Sequence, residues 1–224
     1  MDGMSKSCAA NFAEIIDCLK TRGVVRARDL HEIGVTEADI RRLVGRGSLT
    51  RVARGVYASR RVAATPHRRL AVAALRVPVG VVCLTSALRF HGLLDVEPEH
   101  VWMALPHHAW RPRIDEIPVR FAWFSGPAAS AGVETHVVEG VELRVYSVAK
   151  TVADLFKHRA TIGADGAFRA LREFARARPG ELDDLRRYAR ICRVHEAVTR
   201  HDSLNLSWNR RTVASTTSKV GGSP

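Results

Sequence analysis

Apolar positions recur with a helical period at the start of the chain. Phe12, Ile15, Ile16 and Leu19 stand at i, i+3, i+4 and i+7, one stripe of a helix that stops at Gly23. Leu30 and Ile33 give a second, short helix its buried side, and Gly34 supplies the backbone freedom for a sharp turn. Thr36 opens a third helix with Asp39 three residues on, a relative of the capping box weakened by the shorter Asp side chain. Ile40, Leu43 and Val44 form its expected core face, so Glu37, Arg41 and Arg42 project elsewhere, and Gly45 and Gly47 end it. Leu49 to Ala58, LTRVARGVYA, reads as a hairpin with Leu49, Val52, Val56 and Tyr57 at apolar positions and Arg54-Gly55 at the bend. Helix, turn, capped helix and basic hairpin, in that order, spell a winged helix-turn-helix.

A second unit follows. Pro66 at a first helical position predicts a helix from Thr65-Pro66 through Val77, and LTSALRFHGLL (Leu84 to Leu94) predicts another, ended at Gly92. The period then changes to alternation. Val101–Leu105, Val119–Phe124, His136–Val138 and Leu143–Tyr146 are strand candidates divided by Pro and Gly, which predicts an antiparallel or mixed sheet. Helical spacing returns in SVAKTVADLFKH (Ser147 to His158), capped by Ser147, with Val148, Val152, Leu155 and Phe156 on one face. Phe168, Leu171 and Phe174, then Leu182, Leu185 and Tyr188, mark two more helices separated by Pro179-Gly180. Residues 210–224 are polar and rich in Ser and Thr, a composition expected to be disordered. The expected fold is therefore α+β. A winged helix-turn-helix spans 1–62, a larger mixed α/β domain with a small sheet and carboxy-terminal helices spans 63–205, and a tail spans 206–224.

Charge sharpens this picture. The 224 residues carry a formal net charge of +12, which speaks to partners and puts polyanions first among them. Residues 1–61 hold 12 Lys or Arg against 7 Asp or Glu, residues 62–160 hold 11 against 9, and residues 161–224 hold 12 against 7. The basic excess of the first block lies after Thr36, in Arg41, Arg42, Arg46, Arg51, Arg54, Arg60 and Arg61. Four scattered cysteines, Cys8, Cys18, Cys83 and Cys192, form no CxxC pair and suggest neither a zinc knuckle nor a disulfide framework. No apolar run approaches the roughly 18 residues that span a bilayer, and MDGMSKSCAANFAE lacks the layout of a signal peptide. A soluble, cytoplasmic protein with no membrane partner is expected.

A recognition helix reads bases through its amino end, where free N–H groups and the helix dipole also favour phosphate. Thr36, Glu37 and Arg41 are thus the leading base or phosphate candidates; Arg42 and Arg46 lie further along, and Arg51 and Arg54 sit on the wing, suited to backbone or minor-groove contact. The competing reading is a solvated basic face on a small helical domain, which the order of the elements disfavours. Glu37 and Asp39 put negative charge at the groove-facing end. Asp39 is best read as complementing the helix dipole, while Glu37 remains open between that role and accepting from a cytosine amino group.

Enzyme signatures are absent from the sequence. His107-His108 is read as loop surface, since adjacent side chains point apart and no third ligand stands at metal spacing. His91 is a core or cap histidine, and Lys150 and Asp154, at i and i+4, are read as a helix-surface pair. Glu142-Leu143-Arg144 lacks the lysine and the paired Asp of a nuclease triplet. No Gly-rich phosphate loop or GxSxG elbow occurs, so no catalytic residue, metal or cofactor is expected. The carboxy-terminal arginines Arg169, Arg172, Arg176, Arg186, Arg187, Arg190 and Arg193 form a solvated helical face by default, with a second surface for RNA or an acidic protein as the alternative.

The helix-turn-helix ending in RGVYA, the segment LTSALRFHGLLD (Leu84 to Asp95) and YSVAKTVADLFKHR (Tyr146 to Arg159) together resemble the AbiEi-type antitoxins of type IV toxin-antitoxin systems, over most of residues 10–200. The resemblance implies a winged helix domain that represses its own operon at an inverted repeat in double-stranded DNA. It also implies a carboxy-terminal domain that counters a nucleotidyltransferase toxin. Carried over by position, the DNA-binding candidates are Thr36, Arg41, Arg42, Arg46, Arg51 and Arg54. The alternative function is a winged-helix transcriptional regulator with a ligand-sensing carboxy-terminal domain, marked by a closed apolar pocket within residues 65–200.

Overall fold

The computed structural model describes residues 20–200. The stripe Phe12 to Leu19, Cys8 and Cys18, and the polar segment 210–224 lie outside the described residues. The amino-terminal unit runs β1 (Val24–Arg26), α1 (Ala27–Glu32), α2 (Glu37–Gly45), β2 (Leu49–Ala53) and β3 (Val56–Ser59). Its strands form an antiparallel sheet of order β1-β3-β2, so the hairpin is completed by a strand, Val24–Arg26, that period and spacing do not announce. Alternation assigns the two faces. Val25, Leu49 and Tyr57 point toward α1 and α2, where they meet Leu30, Val35 and Ile40. Val44 departs from the expected core face and is 37% exposed: it falls in the last turn of α2, where Leu43 and not Val44 packs against the small core.

The larger unit runs α3 (Arg68–Arg76), β4 (Val81–Val82), α4 (Leu84–Phe90), β5 (Val101–Pro106), β6 (Val119–Phe124), α5 (Pro127–Ser130), β7 (Val133–Val138), β8 (Val141–Tyr146), α6 (Val148–Lys157), α7 (Arg159–Ile162), α8 (Ala164–Ala177) and α9 (Leu182–Ile191). The five strands form a mixed sheet of order β6-β5-β4-β8-β7, with parallel β5/β6 and β4/β8 pairs. The protein is thus an α+β chain, a winged helix-turn-helix followed by a larger mixed domain. Pro66 sits in the turn ahead of α3, closed by Arg68 N donating to Thr65 O, so the helix opens two residues after it. α4 ends at Phe90, where Gly92 at φ +75° turns the chain and Leu93 N donates back to Leu88 O. β4 is two residues long and central in the sheet, too short to show any period.

One face of the large sheet, with Val81, Trp102, Ala104, Phe124 and Tyr146, is covered by helices that include α4, α6, α8 and α9. The other, with Val82, Val101, Met103, Leu105, Leu143 and Val145, packs against α3 and extends into Val24, Ala53 and Val56 of the winged unit. The small sheet is therefore covered on both faces: by its own helices on one side and by the second unit on the other.

A buried carboxylate fastens this junction. Glu139, in the β7–β8 turn at φ +52°, is fully buried at its side chain. It accepts from Thr65 N at 2.7 Å, Thr65 Oγ1 at 2.8 Å and Arg68 Nε at 2.7 Å, while its backbone oxygen accepts from Gly23 N at 2.9 Å. A Cβ on Gly23 would overlap the Glu139 side chain, so glycine is required there by close approach.

Lys150 and Asp154, expected on a helix surface, are both completely buried. Val148 to Phe156 is buried all round, which leaves α6 no solvent face on which to place the pair. Lys150 Nζ donates to both Asp154 oxygens, at 2.7 and 2.6 Å, and lies 4.2 Å from the Tyr146 ring centroid and 4.9 Å from that of Phe124. Cys192 Sγ reaches Asp154 Oδ1 at 3.2 Å. Burial raises the Asp154 carboxyl against the lowering effect of Lys150, and burial followed by the Asp154 charge pushes the Cys192 thiol up to about 12. Ser147 caps α6 as expected, accepting from Lys150 N.

Candidate nucleic-acid interface

The helix-turn-helix is built by local bonds. Gly34 takes φ +82°, Gly34 N donates to His31 O at 2.9 Å and Val35 N to Leu30 O at 3.0 Å, and His31 Nδ1 lies 2.7 Å from Val35 O. α2 then begins with a full reciprocal capping box despite the short Asp. Asp39 N donates to Thr36 Oγ1 and Thr36 N to Asp39 Oδ2, both at 3.2 Å, and the Thr36 hydroxyl donates to Asp39 Oδ2 at 2.6 Å. That hydroxyl bond leads the effects that hold the Asp39 carboxyl below the usual carboxylate range. Thr36 and Asp39 are thus engaged in folding the helix start.

All seven predicted residues, Thr36, Glu37, Arg41, Arg42, Arg46, Arg51 and Arg54, are exposed, but their side chains differ in freedom. Arg42 Nη1 is committed to Asp39 at 2.8 Å. Glu37 stands 3.8 Å from His31 Nε2, and Arg41 Nε makes a long 3.4 Å bond to the Glu37 carbonyl. Arg41, Arg46, Arg51 and Arg54 have no ion-pair partner among the described residues. Arg60 joins them: its N donates to Ser48 O at 3.1 Å, at the turn after α2, which places it near Arg46. Its signal in the sequence was only its place in the basic run.

The wing is short and anchored. Gly55 bends the hairpin at φ +67°, and its oxygen accepts from Ala27 N at 2.9 Å. Arg54 N donates to Glu116 Oε1 at 2.6 Å, a bond that holds the Glu116 carboxyl low, and Arg76 Nη1 reaches Arg54 O at 3.5 Å. No local sequence signal marks this attachment, because Glu116 lies 62 residues on in a loop without periodicity and Arg76 lies 22 residues on at the end of α3.

Other candidate features resolve simply. His107 and His108 are exposed as expected of loop surface, but their side chains do not point apart: the rings meet edge-on at 4.7 Å, because the two residues lie in the turn that follows β5. His91 caps α4, with Nε2 2.8 Å from Tyr146 O and burial lowering its pKa. Among the described residues no cluster of His, Cys, Asp and Glu could hold a metal ion, and no helix is long and apolar enough to cross a membrane. The carboxy-terminal arginines follow the solvated-face expectation in part: Arg176 pairs with Glu173, Arg186 with Asp183 and Arg187 with Asp184, all at i, i+3. A cleft of about 840 Å³ opens between α4 with the segment after it and α7–α8. Leu88, Trp102 and Leu155 line it beside Glu97, Arg169 and Arg176, an open and mixed surface unlike a closed apolar pocket.

Comparison with known proteins agrees with this geometry. No curated protein matches the chain. Among solved structures, the crystal structure of the RV2827C protein from Mycobacterium tuberculosis shares the fold. The TM-score is 0.51 at 17% identity, over 74% of this chain and 71% of that one. Residues 14–60 match the family model described as "Transcriptional regulator, AbiEi antitoxin". The winged helix-turn-helix of this chain is therefore similar, over residues 14–60, to the AbiEi antitoxin transcriptional regulators.

Proposed function

We propose that this protein is a DNA-binding antitoxin that represses its own operon at an inverted repeat and counters a nucleotidyltransferase toxin of a type IV system through its larger unit. The observation that carries the DNA-binding part is the set of exposed arginines without ion-pair partners, Arg41, Arg46, Arg51 and Arg54, on a capped helix and its adjoining wing. Guanidinium groups without an ion-pair partner keep their terminal N–H donors for phosphate and base-edge acceptors, Arg41 giving up only Nε to the Glu37 carbonyl. Phosphate contacts supply affinity and a few helix residues supply sequence preference. Arg41, one turn into α2, is the residue assigned to base reading. Thr36 contributes by its cap and by the free N–H groups behind it, and Arg42 is half-committed to Asp39. Two copies on an inverted repeat follow from the symmetry of such a site. The antitoxin part rests on the family similarity of the amino-terminal unit and on the resemblance of the segments Leu84 to Asp95 and Tyr146 to Arg159.

A titration of the full chain against duplex from upstream of its own reading frame tests the DNA part. Arg41→Ala is expected to weaken binding by about 10-fold and to relax preference over random duplex, in the range of one good bidentate base contact. Equal affinity for upstream and random duplex, with no effect of Arg41→Ala, would sink it. For the antitoxin part, co-expression with a nucleotidyltransferase encoded beside it should restore growth, and growth arrest despite the intact chain would count against it.

A further inference from the structure

Beyond the winged unit, one segment of the larger unit carries exposed aromatic and cationic side chains beside the wing. Residues 107–118, HHAWRPRIDEIP, connect β5 to β6. Trp110 is 89% exposed, as is the Arg113 side chain, and His107, His108 and Arg111 are exposed with them. Trp123, 42% exposed on the edge strand β6, supports the segment by donating from Nε1 to Ala109 O at 3.4 Å. An indole left almost wholly in water within a run free of acids until Asp115 is a contact surface for a partner with apolar faces and negative charge.

Its position is fixed relative to the wing. Ala109, Ile114 and Ile117 pack into the same cluster as Val52, Ala53 and Val56 of the hairpin. Glu116 accepts from Arg54 N, and Arg76 bridges Arg54 O at 3.5 Å and Arg113 O at 3.4 Å. The backbone of the wing tip and that of the segment are thus joined through one guanidinium. Two acids temper the charge: Asp115 pairs with Arg113 at 3.0 Å, and Glu116 is occupied by Arg54 N.

We propose that residues 107–113 are a second duplex-binding element, in which Arg111 and Arg113 meet phosphates flanking the segment read by α2 and Trp110 packs against the sugar or base edge beside them. This rests on the duplex-binding reading of the winged unit. The shared anchor makes the surface continuous with the wing, and the chemistry is that of backbone positioning, not base reading.

The test uses the full chain and a 40-base-pair duplex of upstream DNA, with anisotropy titrations across a salt series. The double variant R111A/R113A is expected to reduce the slope of log K against log salt by at least about 0.9, the contribution of one phosphate contact, with Arg113 adding less than a full contact because it is shared with Asp115. Trp110→Ala is expected to weaken binding several-fold and Trp110→Phe to restore most of it. Both effects should vanish on a duplex trimmed to the segment protected by α2, where Arg41→Ala still weakens binding. If Arg41→Ala weakens binding while the loop variants leave slope and affinity unchanged, the second element is refuted and the winged reading stands. Loop variants that bind DNA normally but lose antitoxin activity would also refute it, by assigning the surface to a protein. If all variants bind like wild type, both readings fall together. Circular dichroism of each variant separates these outcomes from misfolding.

Discussion

Replacing Lys150 by Met should destabilise the protein by about 4 kcal/mol. Removing one partner of a buried ion pair costs about 3–5 kcal/mol, because the other charge is left uncompensated. A surface pair at the same spacing would contribute under about 1 kcal/mol, so the measurement decides between the two placements. Here the side chain left behind is Asp154, whose remaining side-chain donor is the Cys192 thiol at 3.2 Å, a weak one. For a chain of this size, about 4 kcal/mol corresponds to roughly 10 °C in Tm. The effect should also depend on pH. Burial already raises Asp154 in the native protein, and Lys150→Met removes the main influence that lowers it. The folded carboxyl then binds its proton more tightly than the unfolded one, whose pKa is about 3.9. The destabilisation is therefore full above the raised folded pKa and shrinks as pH falls through it. Urea titrations of wild type and Lys150→Met at about pH 8 and pH 5 measure this. The double variant K150M/D154L, which removes both charges, should recover to within about 1 kcal/mol of wild type. A double variant as unstable as Lys150→Met, or a deficit that grows on acidification, would refute the argument.

Thr36→Ala removes the cap of α2 and should cost about 1 kcal/mol in global stability, and DNA affinity should fall with it because the helix start frays where contact is expected. An unchanged urea midpoint would show that the capping box is redundant. Glu139→Ala leaves Arg68 and both Thr65 donors without their acceptor, and about 3 kcal/mol should be lost. Limited proteolysis should then cut first between residues 60 and 67; cleavage no faster than in wild type would contradict the role of Glu139 as a fastening.

The winged unit was largely legible in the sequence, because its information is local. A capping residue, a turn glycine and a basic hairpin act within a few residues of one another, and the arginines of α2 and the wing are exposed where the spacing put them. The features that escaped depend on distant partners. β1 is three residues long and exists because β3 pairs with it. The Lys150–Asp154 pair has the spacing of a surface pair, and only the layers closing over α6 make it internal. The exposed Trp110 segment went unread beyond His107-His108, since neither its proximity to the wing nor the attachment of Glu116 to Arg54 has a sequence period.

These attachments bear on how one chain would combine the two proposed tasks. A winged helix on a free tether would bind DNA independently of whatever occupied the rest of the protein. Here Ala53 and Val56 share a core with Met103 and Leu105, Glu139 fastens Gly23 and Thr65, and Glu116 and Arg76 hold the backbone of the wing tip. A partner that binds the larger unit without disturbing these contacts has no differential effect on the winged face and leaves DNA affinity unchanged. One that moves the 107–118 segment must also disturb the hydrogen bond from Arg54 N to Glu116. Coupling between such a partner and DNA, if measured, therefore points to a site that disturbs one of these junctions, and independence points to a site away from all of them, such as the helical layer of α4, α6, α8 and α9 across the sheet.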